Sequence, residues 1–194
     1  AAGPIGDVLL APERLAPKLT RFTGEAALPL ASSHLLARSQ AIADADVVHL
    51  HNLHGNWFDL RALPAIARHQ PIVWTLHDMW PATGHCAYSY GCERWRTGCG
   101  HCPLFEPERR PLDDIPQPPW GDNSAAGWRL KRRLYARLQG LAVTAPSRWL
   151  TDLARQSMLA SAPGASFRQI PYGLDTDVFA PAARADARAA LGLE

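Results

Sequence analysis

Apolar residues fall in two kinds of run along this chain. Short blocks rich in β-branched residues alternate with stretches whose apolar positions recur at helical spacing. Asp46-Val47-Val48-His49-Leu50-His51 and Pro71-Ile72-Val73-Trp74-Thr75-Leu76-His77-Asp78 are two such blocks, and both end in ionisable side chains. Between them, Leu60-Arg61-Ala62-Leu63-Pro64-Ala65-Ile66-Ala67-Arg68 has an apolar helical face. Strand, helix and strand in that order predict a βαβ unit, hence a parallel sheet buried on both faces. The fold class is therefore α/β, a Rossmann-like parallel sheet flanked by helices. Ligands of such sheets sit beyond the carboxyl ends of the strands. His49, His51, His77 and Asp78 stand at those ends.

The rest of the chain continues the alternation. Ser32 or Ser33 is a candidate cap for a helix running through Leu35, Leu36, Ile42 and Ala43. A helix over 125–139 carries Leu130, Leu134 and Leu138 on one stripe, and Gly140 can stop it. Leu141-Ala142-Val143-Thr144-Ala145 reads as a buried strand, and Ser147 caps a helix through Leu150, Leu153, Ala154 and Met158. A short strand over 167–170 leads into the turn-rich Pro171-Tyr172-Gly173-Leu174-Asp175, and an alanine-rich helix follows over 182–191. Residues 1–30 show only weak periodicity. Between the second and third strands lies a loop over about 80–124, and loops of that length are usually functional or tied down.

Composition narrows the picture only a little. A chain of 194 residues suffices for one well-buried domain with an appendage, and 47% hydrophobic with 20% charged residues describe an ordinary globular protein. A net charge of +2 is too mild to argue for a nucleic-acid partner. No apolar run approaches the ~20 residues that span a bilayer. The first residues lack a signal-peptide pattern, so the expected location is cytoplasmic. Six of the 17 prolines cluster between Pro103 and Pro119, marking an irregular insertion.

That loop also holds all four cysteines, Cys86, Cys92, Cys99 and Cys102, spaced C-x5-C-x6-C-x2-C. With His85 and His101 nearby, a structural zinc site that pins the loop is the sharpest reading. Reduced thiols packed in the loop, or two disulfides in an oxidising compartment, are the alternatives. Cys99-Gly100-His101-Cys102 is also the tetrapeptide of disulfide isomerases, but Pro103 and a proline-rich loop follow instead of a helix that could stabilise a thiolate. His49, His51 and His54 spell His-x-His-x-x-His, which suits a metal-dependent hydrolase. Later strand ends, Ala145-Pro146 and Pro171-Tyr172, supply no further ligands, which weighs against it. Arg129, Lys131, Arg132, Arg133 and Arg137 give one helix a basic character. Peripheral contact with an anionic membrane and a plain solvated face both fit, and the mild net charge favours the latter. Trp57, Trp74 and Trp149 are expected in the core, whereas Trp80 and Tyr88, in the loop beyond the strand, are placed to stack on a ligand ring. Arg148, just inside a helix N-terminus, points at phosphate or another bound group, or pairs with a neighbouring acid.

Four segments in register give a family resemblance. Val48-His49-Leu50-His51, Trp74-Thr75-Leu76-His77-Asp78-Met79-Trp80, Ala145-Pro146-Ser147-Arg148-Trp149-Leu150 and Pro171-Tyr172-Gly173-Leu174-Asp175-Thr176-Asp177-Val178-Phe179 occur in the order seen in family 4 glycosyltransferases. Thr83-Gly84-His85-Cys86 and Gly98-Cys99-Gly100-His101-Cys102-Pro103 resemble the branch linked to bacterial exopolysaccharide and colanic-acid-type assembly. The resemblance covers roughly residues 42–194. It implies the N-terminal half of a GT-B fold. Residues 1–170 would be an acceptor-binding domain, incomplete at its N-terminus, with the Cys/Pro-rich insertion at about 80–124. Residues 171–194 would be the crossing toward a donor domain that this stretch does not contain, so the piece alone is expected to be inactive. The implied reaction is transfer of a sugar from a nucleotide sugar to a carbohydrate or lipid-linked acceptor, with retained configuration and no catalytic metal. By that resemblance His77 touches the transferred sugar, and Asp78 orients its imidazole or holds an acceptor hydroxyl. His51, His54, Gly55, Trp80, Tyr88 and Arg148 complete the expected substrate contacts, at the inner face of a membrane where a lipid-linked acceptor would lie. A stand-alone carbohydrate- or partner-binding module without catalysis is the alternative of a different class.

Overall fold

A computed structural model describes residues 30–55, 57–106 and 121–193 of the chain. Expectations that fall on residues 1–29 and 107–120, including most of the proline cluster, lie outside the described residues. Two short helices, α1 (Ala31–Leu36) and α2 (Gln40–Ala43), precede strand β1 (Val48–Leu50). A 3-10 turn, Leu60–Ala62, runs into α3 (Leu63–Ile66), then β2 (Ile72–Thr75), the long loop, α4 (Ser124–Tyr135) and β3 (Ala142–Ala145). Helix α5 (Arg148–Gln156), β4 (Ser166–Gln169) and α6 (Arg184–Ala190) complete the order.

The four strands pair in the order β1-β2-β3-β4, every pair parallel, with Leu50 opposite Trp74, Trp74 opposite Val143, and Val143 opposite Phe167. Residues that share this row point to one face. On that face Leu50, Ile72, Trp74, Val143 and Ala145 are buried, and Trp74 meets Tyr135 of α4 edge-on, with ring centroids 5.8 Å apart. Residues one position out of step, His49, Thr75 and Thr144, share the opposite face. The parallel βαβ architecture is therefore as expected. The helical boundaries differ. The expected N-terminal helix is broken in two because Ser39 takes an extended conformation and its hydroxyl accepts from Ile42 N at 3.4 Å. Neither Ser32 nor Ser33 caps α1, and Leu35 and Leu36 stay exposed. Ser147 caps α5 as expected, accepting from Leu150 N at 3.2 Å.

Helix α4 ties down the long loop, and it does so with polar groups on its buried side. Trp128, Lys131 and Tyr135, spaced to share a helix face, donate to loop carbonyls: Trp128 Nε1 to Trp95 O at 2.8 Å and Tyr135 Oη to Pro81 O at 3.0 Å. Lys131 Nζ reaches Trp80 O at 2.6 Å and Thr83 O at 3.0 Å, and lies over the Trp80 ring, 3.4 Å from its centroid. Lys131 thus leaves the basic face assigned to it by sequence and is 1% exposed, while Arg129, Arg132, Arg133 and Arg137 remain in solvent. Burial pushes the Tyr135 phenol well above 10. Gly84 and Gly127 let the loop and helix backbones meet: a Cβ on Gly127 would lie 2.4 Å from Gly84 O.

Candidate functional site

Two parallel strands, β1 and β2, bring His51 and His77 to one edge. His49 lies mid-strand in β1 opposite its register partner Val73, and its Nε2 lies 2.7 Å from Thr75 Oγ1. Thr75 Oγ1 lies 2.7 Å from Thr144 Oγ1 on β3, so one string of hydrogen bonds crosses β1, β2 and β3. One step further out, His51 Nδ1 and His77 Nε2 are 2.9 Å apart, and their rings stack at 22° with centroids 5.2 Å apart. Two ring nitrogens can share a hydrogen bond only if one carries a proton and the other a lone pair. While this contact stands, the His51–His77 pair therefore holds at most one positive charge.

His77 is capped on its other side by a residue from beyond β4. Tyr172 Oη hydrogen-bonds His77 Nδ1, and its ring stacks on the imidazole at 19°. His77 is thus held through both nitrogens. Partial burial first, and then the imidazoles of His51 and His77, pull His49 below the usual 6.5.

One of the two roles expected of Asp78, orienting the His77 imidazole, is not seen. Asp78 Oδ2 accepts from His54 Nε2 at 2.8 Å, and Oδ1 accepts from Trp80 N at 2.8 Å. The carboxylate caps the turn that leaves β2, and its side-chain partner comes from the loop after β1. Gly55 follows His54 with φ 91, a left-handed conformation that suits glycine at this turn. His49, His51 and His54 each take a different partner, so the His-x-His-x-x-His pattern does not converge as a ligand set. Among the described residues no three His, Cys, Asp or Glu side chains are drawn together tightly enough to hold an ion as they stand.

The aromatic assignments are partly reversed. Trp80 is 6% exposed and covered by Lys131, so it is a core ring and not a platform for sugar. Trp57 and Trp149, expected in the core, are 55% and 54% exposed; Trp74 is buried as expected. Tyr88 is exposed and forms an aromatic cluster with Tyr90 and Trp149, at centroid separations of 5.0 and 6.0 Å. Arg148 is exposed on the first turn of α5, directly after the carboxyl end of β3.

Thr75, Thr144 and Tyr172 were absent from the sequence-derived site. A polar residue set inside an apolar strand, as in Trp74-Thr75-Leu76 and Val143-Thr144-Ala145, was the available signal for the first two. Nothing in Pro171-Tyr172-Gly173 beyond its turn character foretold that the phenol folds back to His77.

The cysteines gather around one cavity in the loop, and all four are unpaired by disulfides. Burial raises the Cys86 and Cys99 thiols above 9 and the Cys102 thiol to about 11, the opposite of an oxidoreductase nucleophile. Burial also lowers His85 to about 4.

Comparison with known proteins adds three findings. The family described as Glycosyltransferase Family 4 matches residues 6–178. WcaC of Escherichia coli (strain K12), whose name assigns it to glycosyl transfer in colanic acid biosynthesis, is 45% identical over 66 residues. That match covers 30% of this chain and spans 16% of the relative. No solved structure matches the chain.

Proposed function

The chain belongs to glycosyltransferase family 4, and from that premise we propose that it binds the acceptor and the transferred sugar in retaining transfer from a nucleotide sugar. The product would extend a bacterial polysaccharide on a carbohydrate or lipid-linked acceptor. The observation that carries this reading is the convergence of His51, His77 and Tyr172 at the carboxyl edge of a parallel sheet, with His54 and Asp78 beside them. The likeness to the colanic acid relative supports the polysaccharide setting.

In such a transfer the bond from the anomeric carbon to the diphosphate oxygen breaks and a bond to the acceptor oxygen forms. The acceptor proton leaves, and the diphosphate departs with the electron pair. Charge grows at the anomeric carbon as an oxocarbenium-like state and on the leaving phosphate. The protein's part is orientation and electrostatics. His77, held through both ring nitrogens, offers an oriented hydrogen bond to a sugar hydroxyl when the ligand displaces one partner. Asp78 fixes the turn at which His54 and Gly55 would line the acceptor. Arg148, at the amino end of α5, supplies positive charge for phosphate, as helix N-termini do. Tyr88, with its aromatic neighbours Tyr90 and Trp149, offers a ring face to a saccharide.

Residues up to about 170 would form the acceptor side and residues 171–194 the crossing to the donor side. In support, residues 170–187 are exposed throughout, and α6 buries none of its side chains. Among the described residues no helix is long and apolar enough to cross a membrane.

Imidazole nitrogen resonances test the binding half of this proposal. Adding acceptor saccharide should shift the His51 and His77 signals, and His77→Ala should abolish the His51 shift. Binding that leaves both signals unmoved overturns the site. Radiolabelled transfer from nucleotide sugars tests the rest. Turnover by these 194 residues alone would refute the assignment of the donor to residues outside them.

A further inference from the structure

The long loop holds four cysteines, none of them in a disulfide. Cys86, Cys92, Cys99 and Cys102 line a single cavity, with His85 on its rim. The cavity holds about 20 Å³, room for one occupant of the size of a water molecule or a metal ion. Two polar contacts reach the sulfurs: Gly84 N donates to Cys99 Sγ at 3.3 Å, and His85 Nε2 lies 3.1 Å from Cys102 Sγ. These are the outer contacts that thiolate ligands need. The turn joining Cys99 to Cys102 is tight: Gly100 and His101 both take positive φ, 136 and 47. Cations stand close by: Lys131 donates to Thr83 O, three residues before Cys86, and Arg94, on the cavity wall, donates to Gly100 O at 3.1 Å.

We infer that this cluster is a structural zinc site, Cys86, Cys92, Cys99 and Cys102 closing a tetrahedral shell around one ion. Binding exchanges the four thiol protons for one divalent cation, and the resulting double negative charge is offset by Lys131 and Arg94. Because the side chains as they stand do not gather in threes, the shell forms by drawing the sulfurs inward, to about 2.3 Å from the ion. Rotation about each cysteine's single side-chain torsion moves its sulfur without moving the backbone that Trp128, Lys131 and Tyr135 already hold. The ion's role is to fix the loop on either side of Trp95, which Trp128 already holds, including the stretch that carries Tyr88 and Tyr90. His85 acts as an outer partner that hydrogen-bonds the Cys102 sulfur.

Native mass spectrometry of the full chain, expressed and purified without chelator, reads the outcome directly. One zinc per chain is expected. A mass short of four protons, with no metal, means two disulfides and overturns the inference; a metal-free mass with four titratable thiols overturns it as well. Replacing the metal with cobalt(II) supplies a spectroscopic check, because only thiolate ligands give intense near-ultraviolet charge-transfer absorption. Cys102→Ser should lose the stoichiometric metal. If that variant does not fold, chelator titration of the unaltered chain still decides: metal release should expose four thiols to alkylation, and unchanged alkylation refutes the shell. Failure here leaves the sugar-binding proposal intact, since the imidazole resonances report on the sheet edge and not on the loop.

Discussion

Lys131→Met is the sharpest test of how the loop is held. The ammonium is 1% exposed, donates to the Trp80 and Thr83 carbonyls at 2.6 and 3.0 Å, and sits over the Trp80 ring. Methionine keeps most of the stem and its packing but removes both donors and the charge. Mutational values for hydrogen bonds to charged groups already include the cost of dehydrating the ammonium, and they run about 1.5–3 kcal/mol each. Two such bonds put the expected loss at about 3 kcal/mol or more. Urea unfolding followed by tryptophan fluorescence measures it, with an unchanged denaturant slope showing that the unfolded state is unaffected. Arg133→Met, on the exposed side of the same helix, is the control and should stay within about 0.5 kcal/mol. A Lys131→Met loss below about 1 kcal/mol would show that the two carbonyls do not depend on the ammonium.

Other perturbations separate the remaining claims. Gly127→Ala should destabilise by about 1–3 kcal/mol, because its Cβ would sit 2.4 Å from the Gly84 carbonyl; a gain of about 1 kcal/mol, as helix propensity alone gives, would refute the close approach. Ser147→Ala should cost about 1 kcal/mol by removing the cap on Leu150 N, read as a lower urea midpoint. His49 is held below 6.5 in the folded chain, so the unfolded chain takes up a proton first as pH falls. Its contribution is full above 6.5 and is lost on acidification, and His49→Gln should lessen the drop in unfolding free energy between neutral and mildly acidic pH. Tyr172→Phe keeps the ring stack but removes the hydroxyl, so the His77 nitrogen resonances should move while those of His54 stay; unchanged His77 signals would contradict the hydrogen bond.

How much was legible in the sequence follows from what each kind of signal encodes. Apolar runs located β1, β2 and β3, but burial on both faces does not hold along the whole sheet: His49 of β1 is exposed, and β4, Ser166–Gln169, is largely exposed. Ser147 was legible as a cap because its role is local. Partner choice was not legible. Asp78 follows His77 directly, yet successive positions at a strand end point apart, so the carboxylate reaches His54 across the turn. Lys131 looked like its basic neighbours because composition cannot show that loop carbonyls wait beneath one face of the helix. The exchange of Trp80 and Trp149 has the same origin: Trp80 is buried by that lysine, and Trp149 lies at the exposed start of a helix. Tyr172 depends on a backbone reversal that no local pattern encodes.

The phenol beside His77 belongs to a segment tied to the sheet by a backbone bond from Ile170 N to Ala145 O, at 2.9 Å. One residue, Pro171, separates that tether from the ring-bearing Tyr172. A swing about this pivot would uncap one imidazole nitrogen and leave every strand where it is, so the protonation pattern of the histidine pair and the direction in which the chain departs are two readings of one coordinate.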